Sequence, residues 1–398
     1  MISVSEALSK IRSHIPKPRI QTISINDSHG YVAAEDIFSD IDLPPFNKSA
    51  MDGYAVRSED LQRPPVELEV IETVAAGYYP SKNIKPGKAI KIMTGAPIPE
   101  GADAVIMVEN TKSSGNNIIN CLNGVRKGEN IAVHGEDLKI NAKVLPAGTT
   151  IRPQEVALLA AVGKSDVLVY SKPIISVLAT GDELVDIKIR PVNAQIRNSN
   201  TYSLIAQLYR MGFKAHSLGI AKDNKSKLES KIARGLKSDI FILSGGVSVG
   251  DYDFVEEILK KSGCEIIFSK VAIKPGKPFL FGRTSGCLVF GLPGNPVSTF
   301  VITEIFIREA LAGITGNLAL RNQVVKARLN TVWSKISERQ QYITALLKMT
   351  ETGGVVEPVT GHGSADLVSL SKANAFLIVP PDTTEIVSGS MVDVIILS

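Results

Sequence analysis

The residues best suited to chemistry fall into four short clusters. Ser244-Gly245-Gly246-Val247-Ser248-Val249-Gly250 closes an apolar, β-branched run that begins at Asp239, and Asp251 and Asp253 follow where a helix should start. Glycines let a backbone approach a ligand without intervening Cβ atoms. A helix N-terminus suits phosphate, and carboxylates suit a hard metal ion. Together they read as a metal–phosphate site, with Ser248 as a hydroxyl inside the turn. A tight strand-to-helix turn with a capping aspartate fits the same residues, and on this stretch alone both readings stay open. Thr180-Gly181-Asp182-Glu183 and Gly291-Leu292-Pro293-Gly294-Asn295-Pro296-Val297-Ser298 end two further apolar runs. Lys274-Pro275-Gly276-Lys277-Pro278 sets two ammonium groups in a loop whose prolines restrict φ. A fixed lysine pair suits an oxyanion, although a lysine pair is also the ordinary dress of a solvated face.

These clusters need elements that bring them together. Between residues 173 and 316 the chain alternates predicted strands, Ile174–Ala179, Ala215–Ile220, Asp239–Leu243, Glu265–Phe268 and Leu288–Phe290, with predicted helices, Ser199–Met211, Asn224–Leu236, Phe254–Ser262 and Pro296–Ala312. That pattern predicts an α/β domain with a mostly parallel sheet. Ligands of such sheets bind beyond the carboxyl ends of the strands, so the strand-end loops share one edge. Asn295 is a natural N-cap and Pro296 a natural first helical residue. The expected result is unpaired N–H groups and a positive dipole end facing the cleft.

The remainder reads differently. Val4, Leu8, Ile11 and Ile15 fall on one helical face, with Ser3 as N-cap. Residues 20–38 read as strands around a turn at 26–30. Residues 40–140 are dense in glycine and proline, with short runs at 66–74, 89–93, 104–108 and 117–121, which predicts an all-β domain. Residues 320–398 alternate in the β manner at 324–329, 342–349, 375–379 and 391–397, which predicts a small β-barrel or sheet. Arg339, Gly361-His362-Gly363-Ser364 and Ser369 are plausible anion contacts there, and loop residues on spacing alone.

The bulk composition excludes several classes. The 398 residues exceed one typical core, so two to four domains are expected. A net charge of +4 demands neither nucleic acid nor an anionic membrane. Cys121, Cys264 and Cys287 lie far apart with no CxxC pair, which indicates neither a zinc site nor a disulfide framework and fits a reducing cytoplasm. There is no signal peptide, membrane-span pattern, Walker lysine loop, G-x-S-x-G elbow or HExxH string. The glycines at 245–250 lack the spacing of a dinucleotide fold.

Eight strings, in order, resemble one family: SAMDGYA at 49–55, TGAPIP at 94–99, GEDL at 135–138, TGDEL at 180–184, IRNSN at 196–200, SGGVSVGDYDF at 244–254, AIKPGKP at 272–278 and LPGNPVS at 292–298. The family is that of the molybdopterin molybdenumtransferases (MoeA), similar to the gephyrin E domain. The resemblance implies an α/β plus β multidomain chain. Its parts are an extended mixed linker domain from residues 1–42 and 143–170, an inserted all-β domain at 43–142, a MogA-like three-layer molybdopterin-binding α/β domain at 171–316 and a C-terminal β-barrel at 317–398. It implies an elongated homodimer with the cleft between subunits. The implied reaction inserts molybdate-derived molybdenum into adenylyl-molybdopterin and releases AMP with the help of Mg2+, with the molybdopterin adenylyltransferase as an expected partner. The family's acidic and threonine positions fall on Asp52, Thr94, Glu183, Asp223 and Asp253, with Asp253 and Glu183 holding Mg2+. Gly245, Gly246, Ser248 and Gly250 would cradle phosphate, with Pro293 and Pro296 shaping the wall. The implied molybdate pocket is Lys274, Lys277, Pro278, Ser298, Arg339 and Ser369. Two positions depart from the pattern. Ala132-Val133-His134 stands where many members carry arginines, which moves any anion contact of the β domain to Arg126, Lys127 or His134. Thr344 replaces a second basic residue after Arg339. The alternatives are a tungstate-using homologue, an adenylylating activity and a gephyrin-like scaffold.

Overall fold

The computed structural model describes residues 1–222, 224–246 and 254–397. Asp223, Ser248, Gly250, Asp251 and Asp253 therefore lie outside the described residues. Three six-stranded sheets carry the architecture, joined by short two-stranded pieces.

The α/β sheet runs, edge to edge, through Ala215–Ala221, Ile175–Thr180, Ile240–Ser244, Leu288–Leu292, Pro278–Arg283 and Glu265–Lys270. Its first four strands are parallel. The last two form an antiparallel edge, because Pro278–Arg283 returns against both Leu288–Leu292 and Glu265–Lys270. The strand pattern missed Pro278–Arg283, whose apolar run is hidden behind the proline-rich lysine loop. The three central strands read as continuous apolar runs because both faces are covered. Thr180, Ser244 and Leu292 finish at the same level, since Ala179 pairs with Ser244 and Ser244 with Leu292. That register aligns the three strand-end loops.

The predicted helix Pro296–Ala312 is longer and interrupted. α-Helix spans Pro296–Ile302, a π-turn follows over Thr303–Ile307, and α-helix resumes over Arg308–Thr315 before Gly316 turns left-handed at φ 67°. The π-turn carries Glu304 fully buried among Gln207, Arg210 and Arg308. The N-terminal helix Val4–Ser13 is capped by Ser3, whose hydroxyl accepts the Glu6 N–H, and buries Val4, Ala7 and Ile11 in the same core.

Ile20–Ser24 and Ile37–Phe38 do not pair with each other. The first pairs antiparallel with Asp166–Tyr170 and the second with Lys143–Leu145, so two distant chain segments are sewn together. The chain between them forms a sheet ordered Ala104–Met107, Gly53–Val56, Lys88–Ile92, Val66–Val74, Ile118–Cys121 and Thr111–Gly115.

The C-terminal strands close on themselves. Gln340–Thr350 pairs with Gly353–Pro358, then Val324–Leu329, Met391–Ile396 and Ala375–Val379 follow, and the last pairs back onto Gln340–Thr350. This is a five-strand barrel with an Ala-, Val- and Leu-rich core. Ile273–Lys274 adds a parallel sixth strand beside Gln340–Gln341, which stitches the lysine loop of the α/β domain to the barrel. Among the described residues no helix is long and apolar enough to cross a membrane.

Candidate active site

The stitch between Ile273–Lys274 and Gln340–Gln341 forms one wall of a cavity of about 690 Å³. Arg339 precedes the barrel strand and donates from Nη1 to the Ile273 carbonyl at 3.2 Å, while the Gln340 N–H donates to the Ala272 carbonyl at 3.0 Å. Lys274, Lys277, Pro278, Pro293, Ser298, Arg339 and Ser369 all line this cavity, as does Thr344. Lys274 and Arg339 are half-buried and Lys277 is exposed. The loop that carries the lysines is closed by the Val271 N–H donating to the Lys277 carbonyl. Gly276 at its apex has φ 113°, and a Cβ there would lie 2.9 Å from Ile302, so only glycine fits the turn. Four cations, counting Lys335, face one carboxylate, Glu357, in the cavity lining. Burial pushes the Tyr342 phenol upward, so it lines the cavity as a neutral group.

A loop of the barrel forms the opposite approach and is organised by one carboxylate. Asp366 accepts from the backbone N–H groups of His362, Val368 and Ser369, each at 3.0 Å. Those bonds, His362 first, hold its carboxyl below the usual 3.8. Asp366 thereby caps the short helix Leu367–Lys372 and fixes Ser369, whose hydroxyl donates to the Asp366 carbonyl at 3.0 Å. A side chain at Gly361 would strike the Ser369 hydroxyl at 2.6 Å.

The same loop corrects one expectation. Asn295 does sit at the N-cap, but its side chain does not cap the helix. Its amide instead donates to the Ser364 hydroxyl at 2.8 Å, and the Ser364 carbonyl takes the Val297 N–H at 3.0 Å. The helix start is therefore partly satisfied by the barrel loop rather than left open to the cleft. Pro296 occupies the first helical position and is not among the cavity-lining residues. Ser298 is 3% exposed in the first turn and does line the cavity.

A second group of predicted residues lies at the strand ends beside this cavity's Pro293 wall. Gly245 and Gly246 pack on Thr180: Cβ atoms there would meet the Thr180 carbonyl at 2.3 Å and its hydroxyl at 2.6 Å. Their positive φ values, 91° and 67°, also favour glycine. The Thr180 hydroxyl is buried and has no hydrogen-bond partner among the described residues. Glu183 is exposed, with its carboxylate folded back beside Gly181. Lys222 pins that loop by donating to the Asp182 and Leu184 carbonyls at 2.5 and 2.7 Å. Asn200, the last residue of the IRNSN string, ties the edge together by donating to the Ser244 hydroxyl at 2.9 Å and to the Gly294 carbonyl at 2.8 Å. This latch was not legible as such, because an asparagine early in a helix reads only as a capping residue.

Asp52 and Thr94 form a third group, outside the cavity lining. The Thr94 N–H and hydroxyl donate to Asp52 Oδ1 at 2.7 and 2.9 Å, and these bonds hold the exposed Asp52 carboxyl below its usual value. His134, at the departure from the arginine pattern, pairs with Asp42 at 2.8 Å. Arg126 and Lys127 border a separate open groove. Among the described residues no three histidine, cysteine or acidic side chains gather as a metal cluster. The three cysteines are buried, and burial pushes their thiols up to about 11, 11 and 12, so none is poised as a nucleophile.

Comparisons with known proteins match this layout along the whole chain. "MoeA N-terminal region (domain I and II)" matches residues 2–163, "Probable molybdopterin binding domain" residues 176–313, and "MoeA C-terminal region (domain IV)" residues 326–397. The molybdopterin molybdenumtransferase of Staphylococcus epidermidis is 36% identical over 99% of this chain and 95% of its own length. The chain belongs to the molybdopterin molybdenumtransferase (MoeA) family. The Bacillus subtilis member is 34% identical over the full chain and 94% of its own length. The MoeA structure from Pyrococcus horikoshii superposes with a TM-score of 0.83 at 32% identity, covering both chains completely. A transferase of molybdenum cofactor biosynthesis thus has its cationic cavity at the seam between the molybdopterin-binding domain and the C-terminal barrel.

Proposed function

We propose that this chain binds molybdate in the cavity at the seam, transfers its molybdenum to adenylyl-molybdopterin held along the neighbouring strand ends, and releases AMP in a Mg2+-dependent step. The observation that carries this reading is the cavity itself. It gathers Lys274, Lys277 and Arg339 with the hydroxyl-bearing Ser298 and Ser369, against one lining carboxylate. Such a set suits a tetrahedral oxyanion, because charge-assisted donors from fixed side chains are the strong ones.

The strand-end loops would take the phosphate-bearing substrate. Gly245 and Gly246 leave no Cβ in the way, and the Asn200 latch holds that edge against Gly294. Pro293 lies in the cavity wall just after the adjacent strand Leu288–Leu292, where the two substrates would meet. The exposed Glu183 carboxylate is an oxygen donor of the kind Mg2+ would take together with substrate phosphates. Glu183, together with Asp253, would hold Mg2+, which supplies Lewis-acid relief of charge as AMP departs. The chain's own residues bind and orient: lysines and arginine fix the oxyanion, serine hydroxyls turn toward it, and Asp366 keeps Ser369 in place.

We also propose a homodimer in the cytoplasm. Asp52 and Thr94 are bonded to each other but line no part of their own chain's cavity, which supports a role toward a second copy. The adenylyltransferase that makes the substrate is the expected delivery partner. Reconstitution tests the function: full-length protein, adenylyl-molybdopterin, molybdate and Mg2+ should release AMP and yield cofactor that activates an apo molybdoenzyme. Absence of both products with authentic substrate would refute the reading.

A further inference from the structure

We propose that Lys335 is a further oxyanion-binding residue of the cavity, held in place by Trp333 and Gln341. This rests on the oxyanion reading above and adds a contact that lies in none of the eight strings. Lys335 stands in the segment joining strands Val324–Leu329 and Gln340–Thr350, and it lines the cavity together with Lys274, Lys277 and Arg339.

Three observations fix it there. The Lys335 carbonyl accepts from the Gln341 side-chain amide at 2.9 Å, and Gln341 is 1% exposed, so the anchor is rigid. Trp333 is bonded in both directions to Ile386 through its backbone, at 2.9 and 2.8 Å. The Lys335 ammonium lies 5.5 Å from the Trp333 ring centroid, a cation–π distance that holds the long side chain without neutralising it. Among the described residues no carboxylate forms an ion pair with Lys335, which leaves the stacked ammonium available to a ligand.

Besides lacking a paired carboxylate, the neighbourhood holds two buried polar atoms without partners among the described residues. The Trp333 Nε1–H and the Gln341 Oε1 are both buried and lack hydrogen-bond partners among the described residues, and both residues line this cavity. A buried N–H without an acceptor costs free energy until one arrives. An oxyanion supplies the acceptor oxygen for the indole N–H, and a hydrating water supplies the donor for the amide oxygen. The ligand class is therefore a small dianionic oxyanion such as molybdate. The predicted signature is a contribution to oxyanion affinity that weakens with added salt, because an exposed cation is screened.

The test is calorimetric titration of molybdate into the full-length protein at two ionic strengths. Lys335→Gln should weaken binding about fivefold at low salt, the upper end for an exposed charge pair, and should flatten the salt dependence. Lys335→Arg should bind within about twofold of wild type. Lys348→Gln changes net charge equally at an exposed barrel position outside the cavity, and it should leave affinity unchanged. Lys335→Gln binding like wild type, while Lys277→Ala loses affinity, would overturn this inference and leave the oxyanion reading standing. No molybdate binding by the wild type would overturn both. An equal loss in Lys348→Gln and Lys335→Gln would reduce Lys335 to a general charge effect and also overturn it.

Discussion

Charge is handled in opposite ways in the long helix and in the cavity. In the helix, Glu304 is fully buried and accepts from Gln207, Arg210 and both Nε and Nη2 of Arg308. Glu309, one turn on, is 6% exposed; burial works to raise its carboxyl, but Arg12 and Arg321 outweigh that and the net shift is downward. Each carboxylate there carries its own guanidinium partners. In the cavity, Lys274, Lys277, Lys335 and Arg339 face one carboxylate. A protein stabilises a buried charge by pairing it internally unless the partner comes from outside. The helix network is thus finished within the chain, whereas the cavity cations have no ion-pair partner among the described residues.

That contrast can be broken experimentally. The largest effect should come from Glu304→Ala, which strands the buried Arg308 guanidinium in the interior and removes the partner of the more exposed Arg210. It should cost about 3–5 kcal/mol of folding stability, read by denaturant unfolding, while molybdate affinity of the folded protein stays unchanged. A stability loss under about 1 kcal/mol would mean the network is not the internal brace described here. Next, Arg339→Ala combined with Lys277→Ala should raise the molybdate dissociation constant by about a hundredfold or more, from two charge-assisted contacts at roughly 1.5–3 kcal/mol each. Its stability should move by less than about 1 kcal/mol, since no internal carboxylate loses its partner. A protein destabilised as much as Glu304→Ala would erase the distinction.

A smaller effect is expected from Asp366→Asn, which weakens the clamp on Ser369 without removing a ligand contact. Molybdate affinity should fall less than in the double variant and recover partly relative to Asp366→Ala. The pH dependence has a definite sign. The folded-state carboxyl of Asp366 lies below its ordinary value of 3.8, so its stabilisation is fully present above that pH. It is lost as pH falls through the lower folded-state value. The stability gap between wild type and Asp366→Asn should therefore close only below about pH 4; a gap that closes between pH 5 and 7 would point to another group. Subunit mixing sharpens the dimer proposal. Asp52→Ala and Arg339→Ala proteins should each be inactive, and mixed dimers should regain a fraction of wild-type turnover if the two groups serve one cleft from different copies.

Much of the fold was legible because local patterning and tertiary role agree. Val66–Val74, Val324–Leu329 and Ala375–Val379 appear with the bounds their alternating or β-branched runs predict. Gly353–Pro358 escaped because its glycine start and two valines give too short a signal, and Leu367–Lys372 because a six-residue helix depends on Asp366 rather than on periodicity. The lysine loop fitted either an oxyanion site or a solvated face, and nothing local joins it to Arg339. That junction comes from a strand pairing and an Arg339 hydrogen bond that spans 66 residues, and only the family resemblance brought the two together beforehand. Trp333, Lys335 and Gln341 sit in a segment with no motif, so their shared cavity is a product of barrel closure alone. The Asn295 expectation failed for a related reason: a cap read from sequence cannot foresee a loop from another domain claiming the same amide.

The most direct measurement is an anomalous difference map, at the molybdenum edge, from crystals of the full-length protein grown with molybdate. The account predicts one dominant peak inside the cavity, within contact of Lys277, Arg339 and Ser369. A dominant peak at the Gly245–Gly246 edge, or none in the cavity at saturating molybdate, would contradict it.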